Sequence, residues 1–216
     1  MKRPLVLSRA LSFALLLPAP VLAHPHIFVE TGLTLEVSPE AALTAVDVTW
    51  AYDEFYSLLI FEDLALDDDL DGALTPEELA QVQGFDLNWS EGFEGDLYLS
   101  RDGQPITLGP PEPLETSVVD GVITTRHRRA VISDSPVTAS GVDIKPYDPT
   151  YYTAYDLSRG VEVSGPCSAT ITPPDLDEAY TRVEELLYAI PADQAETGFP
   201  EVGAAFATTV TLDCEG

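Results

Sequence analysis

The stretch Asp67-Asp68-Asp69-Leu70-Asp71-Gly72-Ala73-Leu74-Thr75-Pro76-Glu77-Glu78 limits what this chain can fold into more than any other. Carboxylates stand at its first, third and fifth places, a glycine at the sixth and a glutamate at the twelfth. Alternate carboxylates on a tight turn converge on one point, Gly72 permits the bend, and Glu78 arrives from the start of a following helix. This is the spacing of an EF-hand loop, and its five diagnostic places arise by chance only roughly 0.001 times in a chain of this composition. A hard divalent ion that takes six to eight oxygens suits it. Calcium is therefore the expected ligand, held by Asp67, Asp69, Asp71, the Ala73 carbonyl, Thr75 directly or through water, and both oxygens of Glu78. Leu74 is expected to point inward. With no second loop to pair with, a structural or weak site, on the order of 0.1 to 1 mM, is expected rather than a sensor.

The flanks of the loop read as helices. Leu58, Leu59 and Leu66 give an apolar stripe over Asp53 to Leu66, and a second helix begins at Pro76 and runs to about Gln83, with Gly84 as terminator. Elsewhere the period is that of strands: Ile27 to Val37, Leu43 to Trp50, Val142 to Ile144 and Val161 to Val163. Asp102-Gly103 and Asp120-Gly121 mark two hairpins, with Gly109-Pro110-Pro111 turning between them. Asp177 to Ala189 reads as an amphipathic helix stopped by Pro191, and Phe206 to Leu212 as a closing strand. The expected fold is α+β: a mainly antiparallel sheet or sandwich with a helix-loop-helix inserted at about 53–89 and a C-terminal helix.

Residues 1–23 have the pattern of a signal peptide: Lys2, Arg3 and Arg9, an apolar run from Ala10 to Leu17, and a small-residue cleavage signal at Val21-Leu22-Ala23. The apolar run is too short for a membrane span, so export to the periplasm as a single domain over 24–216 is expected, with no span after cleavage. Losing the leader removes three of ten basic residues and leaves 7 against 37 acids, a net charge of −30. That sign excludes nucleic acid as a partner. In an oxidising compartment Cys167 and Cys214 are expected to form a disulfide, whose loop closure is worth roughly 4 kcal/mol.

Two of the three histidines lie in His24-Pro25-His26, at the expected mature N-terminus. A free α-amine and the Nδ1 atom of His24 can chelate one metal, with His26 or the distant His127 completing a brace. Pro25 has no amide proton to lose, which excludes the copper and nickel motif that needs a deprotonated second amide. Imidazoles suit nickel, cobalt, zinc or copper without choosing among them. His127 sits in Arg126-His127-Arg128-Arg129, where like charges disfavour a cation, and reads on its own as a sheet-surface residue. The many carboxylates, such as Asp53-Glu54, read as solvated surface.

Ala-His-Pro-His-Ile-Phe-Val at 23–29, Asp53-Glu54-Phe55-Tyr56-Ser57, the acidic loop, Gly92-Phe93-Glu94 and Tyr147-Asp148-Pro149-Thr150-Tyr151 together carry a resemblance. Across essentially all of 24–216 the chain resembles the periplasmic domain-of-unknown-function family 1007. Members of that family are often labelled as periplasmic components of an uncharacterised ABC-type transport system and often occur near nickel/cobalt or other metal permeases. The resemblance implies a metal-transport role beside an inner-membrane metal permease and carries over no catalytic residue. The chain is too short for a two-lobed solute-binding protein, so an accessory or chaperone is the expected form. Against it stand a calcium-stabilised structural or protein-interaction module and, as the best enzymatic version, a copper-dependent oxidase with an N-terminal histidine brace of His24 and His127. No other catalytic or cofactor motif is present, and no enzyme is expected.

Overall fold

The computed structural model describes residues 25–189 and 200–214. The leader, His24 and the helix stop at Pro191 lie outside them.

Two long β-branched runs open the fold as β1 (Ile27–Val37) and β2 (Ala42–Tyr52), an antiparallel pair. The chain then leaves the sheet through α1 (Glu54–Leu64) and α2 (Pro76–Val82) and returns as β3 (Leu97–Arg101). Hairpins follow: β3 with β4 (Gln104–Leu108), and β5 (Glu112–Val119) with β6 (Val122–Ile132). Each turns at an Asp-Gly pair in which both residues have positive φ, as a two-residue hairpin requires. The remaining elements are β7 (Val137–Thr138), β8 (Val142–Pro146), β9 (Thr153–Asp156), β10 (Val161–Ser164), β11 (Cys167–Thr172), α3 (Leu176–Ala189), α4 (Gly203–Phe206) and β12 (Thr209–Cys214).

The strands run in the order β10-β1-β2-β6-β4-β3-β8-β12-β11, with β5 also on β6, β7 on β2 and β9 on β1. β6 is the corner strand. Its residues 122–130 pair with β2 and β5, and Val131 and Ile132 at its end pair with β4. The sheet is mixed, because β1 takes both β9 and β10 in parallel. The inward faces of Leu35, Val46, Val48, Ile123, Ile144 and Val210 form the core, each at most 1% exposed. Gly165, between β10 and β11, passes so close to the Val37 carbonyl that a Cβ there would meet its oxygen at 2.4 Å.

The α+β architecture agrees with expectation; three details differ. In α1 the buried residues are Ser57 and Phe61, whereas Leu58 and Leu59 are exposed; of the stripe read from the leucines only Leu66, just beyond the helix, enters the core. Its apolar residues are not gathered on one face, and one long-range tie is to a strand amide: Ile123 N–H donates to Ser57 Oγ at 3.1 Å. Phe206 ends a short helix rather than starting the closing strand, and Cys214 lies within that strand. The parallel partners of β1 come from far along the chain, where local periodicity carries no information.

Candidate metal centre

The loop between α1 and α2 begins where α1 ends in left-handed Ala65 (φ 51°). Asp67, Leu70 and Gly72 also have positive φ, at 55°, 56° and 76°. These conformations curl the backbone around Asp67, which is nearly buried at 6% exposure. Its Oδ1 accepts from Asp71 N–H at 3.0 Å and its Oδ2 from Gly72 N–H at 3.1 Å. Asp71 Oδ1 in turn accepts from Ala73 N–H at 2.8 Å. Three groups, Asp67, Asp69 and Asp71, bring one carboxylate oxygen each within 4.8 Å of one another. Oxygens bound to one calcium at 2.3–2.6 Å lie no more than about 5 Å apart, so a single ion can span this set.

Thr75 caps α2, and its Oγ1 accepts from Glu78 N–H while the Glu78 carboxylate accepts from Thr75 N–H at 2.8 Å, a reciprocal capping box. Glu78 Oε1 also accepts from Asp67 N–H at 3.2 Å, which ties the twelfth loop residue to the first. The Thr75 hydroxyl and amide, followed by the Asp67 amide, hold the Glu78 carboxyl below its ordinary range against the opposing effect of burial. Serving as a two-oxygen ligand would exchange those hydrogen bonds for the ion. Leu74 packs partly buried against the core. The Ala73 carbonyl lies in the same loop, and Gly72 O accepts from Gly121 N–H at 2.9 Å, fixing the loop to the β5–β6 turn.

The two described histidines do not converge. His26 is exposed; its backbone N–H donates to Tyr152 O at 2.8 Å and its ring lies 4.8 Å from that of Tyr152. His127 is buried at 1% exposure, with its ring 4.7 Å from Trp50 and 5.8 Å from Trp89. No hydrogen bond or ring contact joins the two, and His24 lies outside the described residues. The expectation of a sheet-surface His127 is therefore corrected. On β6 the alternation sends Ile123, Thr125, His127 and Arg129 inward and Arg126 and Arg128 outward. The outward pair bonds to Asp47, at 3.1 Å and 2.7 Å, and Arg128 also bonds to Glu36. Burial, followed by the Arg129 charge and opposed by Asp47, pushes His127 down to about 4, so it is a neutral imidazole at pH 7. Neither ring nitrogen has a hydrogen-bond partner among the described residues.

Several carboxylates are structural. Asp53 caps α1, accepting from Tyr56 N–H and, across the fold, from Phe28 N–H, both at 2.8 Å. Asp86 Oδ2 accepts from the Tyr52 hydroxyl at 2.9 Å and from Thr125 Oγ1 at 2.6 Å, and burial raises its pKa against those bonds. Asp96 accepts from the Tyr155 hydroxyl at 2.7 Å, and burial, only partly offset by that bond, raises it to about 7. Nothing in so acidic a sequence distinguishes these three from their solvated neighbours. The loop that carries the Tyr147-Asp148-Pro149-Thr150-Tyr151 motif is tightly built: the Asp148 carboxylate accepts from Thr150 N–H, Thr150 Oγ1 and Thr153 N–H.

Cys167 and Cys214 form the expected disulfide between β11 and β12, as fits an oxidising compartment. Among the described residues no helix is long and apolar enough to cross a membrane. Comparison with curated proteins gives no match. The family described as protein of unknown function (DUF1007) matches residues 9–214, nearly the whole length. The chain belongs to the DUF1007 family.

Proposed function

We propose that this protein is a periplasmic metal-binding accessory whose loop 67–78 takes one calcium ion, working beside an inner-membrane permease for a transition metal. The observation that carries the calcium reading is the convergence of Asp67, Asp69 and Asp71 within 4.8 Å, in a loop that the Asp67–Glu78 hydrogen bond closes at both ends. Calcium supplies the positive charge that lets these carboxylates share one turn, and it stiffens the inserted helix pair against β5–β6. The leader pattern and the disulfide support export to the periplasm.

The transition-metal part rests on His24-Pro25-His26, with the α-amine that signal cleavage would expose. With His127 buried between two tryptophans, this reading uses His24 and His26 alone for nickel, cobalt, zinc or copper. A second reading, a calcium-stabilised structural module, is favoured by the Gly72–Gly121 hydrogen bond, which ties the loop to the sheet rather than leaving it free to switch. Neither reading includes catalysis.

Titration calorimetry of the exported protein with calcium tests the first site; absence of heat together with a melting curve indifferent to chelator would refute it. Replacing His24 and His26 by alanine while measuring bound nickel, cobalt, zinc and copper separates the two readings. Equal uptake by both proteins would leave only the structural one.

A further inference from the structure

The outer side of β1 carries an aromatic groove with one sign of charge. Two cavities, of about 570 and 410 Å³, share Phe28 and Glu30 as a common wall. Phe55 and Glu54 line the first; Tyr151, Phe206 and Asp156 line the second. Phe28 and Phe55 are 55% and 69% exposed, an arrangement that marks binding surfaces when such residues are contiguous. Among the described residues every charged side chain in either lining is an acid. Asp53 is spent on backbone amides and Glu30 pairs with Arg159 at 3.1 Å, whereas Glu54 and Asp156 have no hydrogen bond or ion pair among the described residues.

The second cavity is also held rigid. Tyr151 stands at φ 60°, a costly backbone position for a bulky side chain, and its ring stacks on Phe206 at 4.0 Å. Gly203 N–H donates to Pro149 O at 2.9 Å, packed so closely that a Cβ would lie 1.7 Å from Asp148 O. A wall already fixed in place loses little entropy on binding.

From these features we propose that the groove docks an extended basic segment of a partner protein, in which large apolar side chains enter the two cavities and flanking arginine or lysine side chains meet Glu54 and Asp156. Two adjoining cavities favour a segment over a single small cation, which would fill one only. A second copy of this chain, at a net charge of −27, has the wrong sign. Arginine also gains attraction from the faces of Phe28 and Phe55. This proposal is independent of the calcium site.

The test is calorimetry of the whole protein at 150 mM salt against a seven-residue peptide alternating arginine with leucine and phenylalanine, and against its glutamate counterpart. One-to-one binding of the basic peptide alone is expected. Phe28→Ala is expected to weaken it about tenfold and the double variant Glu54→Gln with Asp156→Asn about tenfold, with Val119→Ala, at an exposed position elsewhere, unchanged. Melting curves confirm that each variant is folded. Equal affinity of Phe28→Ala and the parent overturns the proposal. So does weakening by Val119→Ala as large as that by Phe28→Ala, binding of arginine methyl ester as tight as that of the peptide, or a self-associated dimer that the peptide dissociates.

Discussion

Gly121 N–H donates to Gly72 O at 2.9 Å, joining the middle of the acidic loop to the tip of the β5–β6 hairpin 49 positions later. Through this bond and the Ser57–Ile123 contact, the inserted helix pair is anchored to the β5–β6 hairpin at two points. Stiffening the loop should therefore be felt as stability of the whole domain.

Calcium at about ten times its dissociation constant should raise the unfolding free energy by about 1.4 kcal/mol. For a domain of this size that is about 3 to 6 °C in melting temperature. Asp69→Asn should remove the calcium effect and leave the metal-free melt unchanged or slightly higher, because Asp69 is exposed, makes no hydrogen bond in the loop and adds to the repulsion among the three carboxylates. Asp67→Asn should lower both, since the Asp67 carboxylate accepts two loop amides. Differential scanning calorimetry with calcium and with chelator reads both.

Replacing His127 by phenylalanine should leave stability at pH 7 unchanged or higher, because the ring sits between Trp50 and Trp89 and neither nitrogen has a partner among the described residues. The folded state holds His127 near 4, while the unfolded chain takes its proton near 6.5. The stability this group gives is complete above about pH 6.5 and is lost as pH falls towards 4. His127→Phe should thus gain on the parent by up to about 3 kcal/mol over that window. Urea melts at pH 7, 5.5 and 4.5 measure it, and a loss of stability at pH 7 would contradict it.

Asp96 has the opposite sign. Burial raises it to about 7, so the folded state keeps a proton that the unfolded chain gives up near 3.8. The stability belonging to this group is complete below about pH 4 and is lost as pH rises through 7. Asp96→Asn keeps an acceptor for the Tyr155 hydroxyl and should gain on the parent by up to about 4 kcal/mol between pH 4 and 8. Paired urea melts at those two pH values decide it.

Gly203→Ala should destabilise the fold by about 3 kcal/mol or more, because a Cβ there would stand 1.7 Å from Asp148 O. Gly203 does not have positive φ, so the cost is steric. Thermal melting of the variant, with Gly109→Ala (nearest contact 3.3 Å) for comparison, should give the larger loss at Gly203.

Serine replacement of Cys167 and Cys214 should cost about 2 to 4 kcal/mol. The bridge links facing residues of β11 and β12, a pair at one end of the strand order that joins the other strands through the pairing of β12 with β8. Urea unfolding of the double variant against the parent gives the value directly.

What the sequence revealed follows from range. The Asp-Gly hairpins, the strand Ile27–Val37 and the start of the strand at Val142 are encoded by neighbours a few positions apart, and each appears where the pattern places it. The burial of His127 depends on Trp50 and Trp89, and that of Ser57 on Ile123. Such partners are chosen by tertiary packing, which overrides the helical stripe of Leu58 and Leu59 just as it overrides the charges beside His127. Acidic composition hid Asp86 and Asp96, since only the fold separates a buried carboxylate from a wetted one.

The register of β1 sets a condition on biogenesis. Its inner neighbour, β2, follows at once, yet Ile27 to Glu30 and Leu33 to Glu36 find their outer partners only at Thr153 to Asp156 and Val161 to Ser164. Until those residues emerge during synthesis, the first strand offers a bare edge with Phe28 and Val29 on it, a template for pairing with other nascent chains. A truncation ending before residue 153 should accordingly accumulate as aggregate rather than as a smaller folded protein.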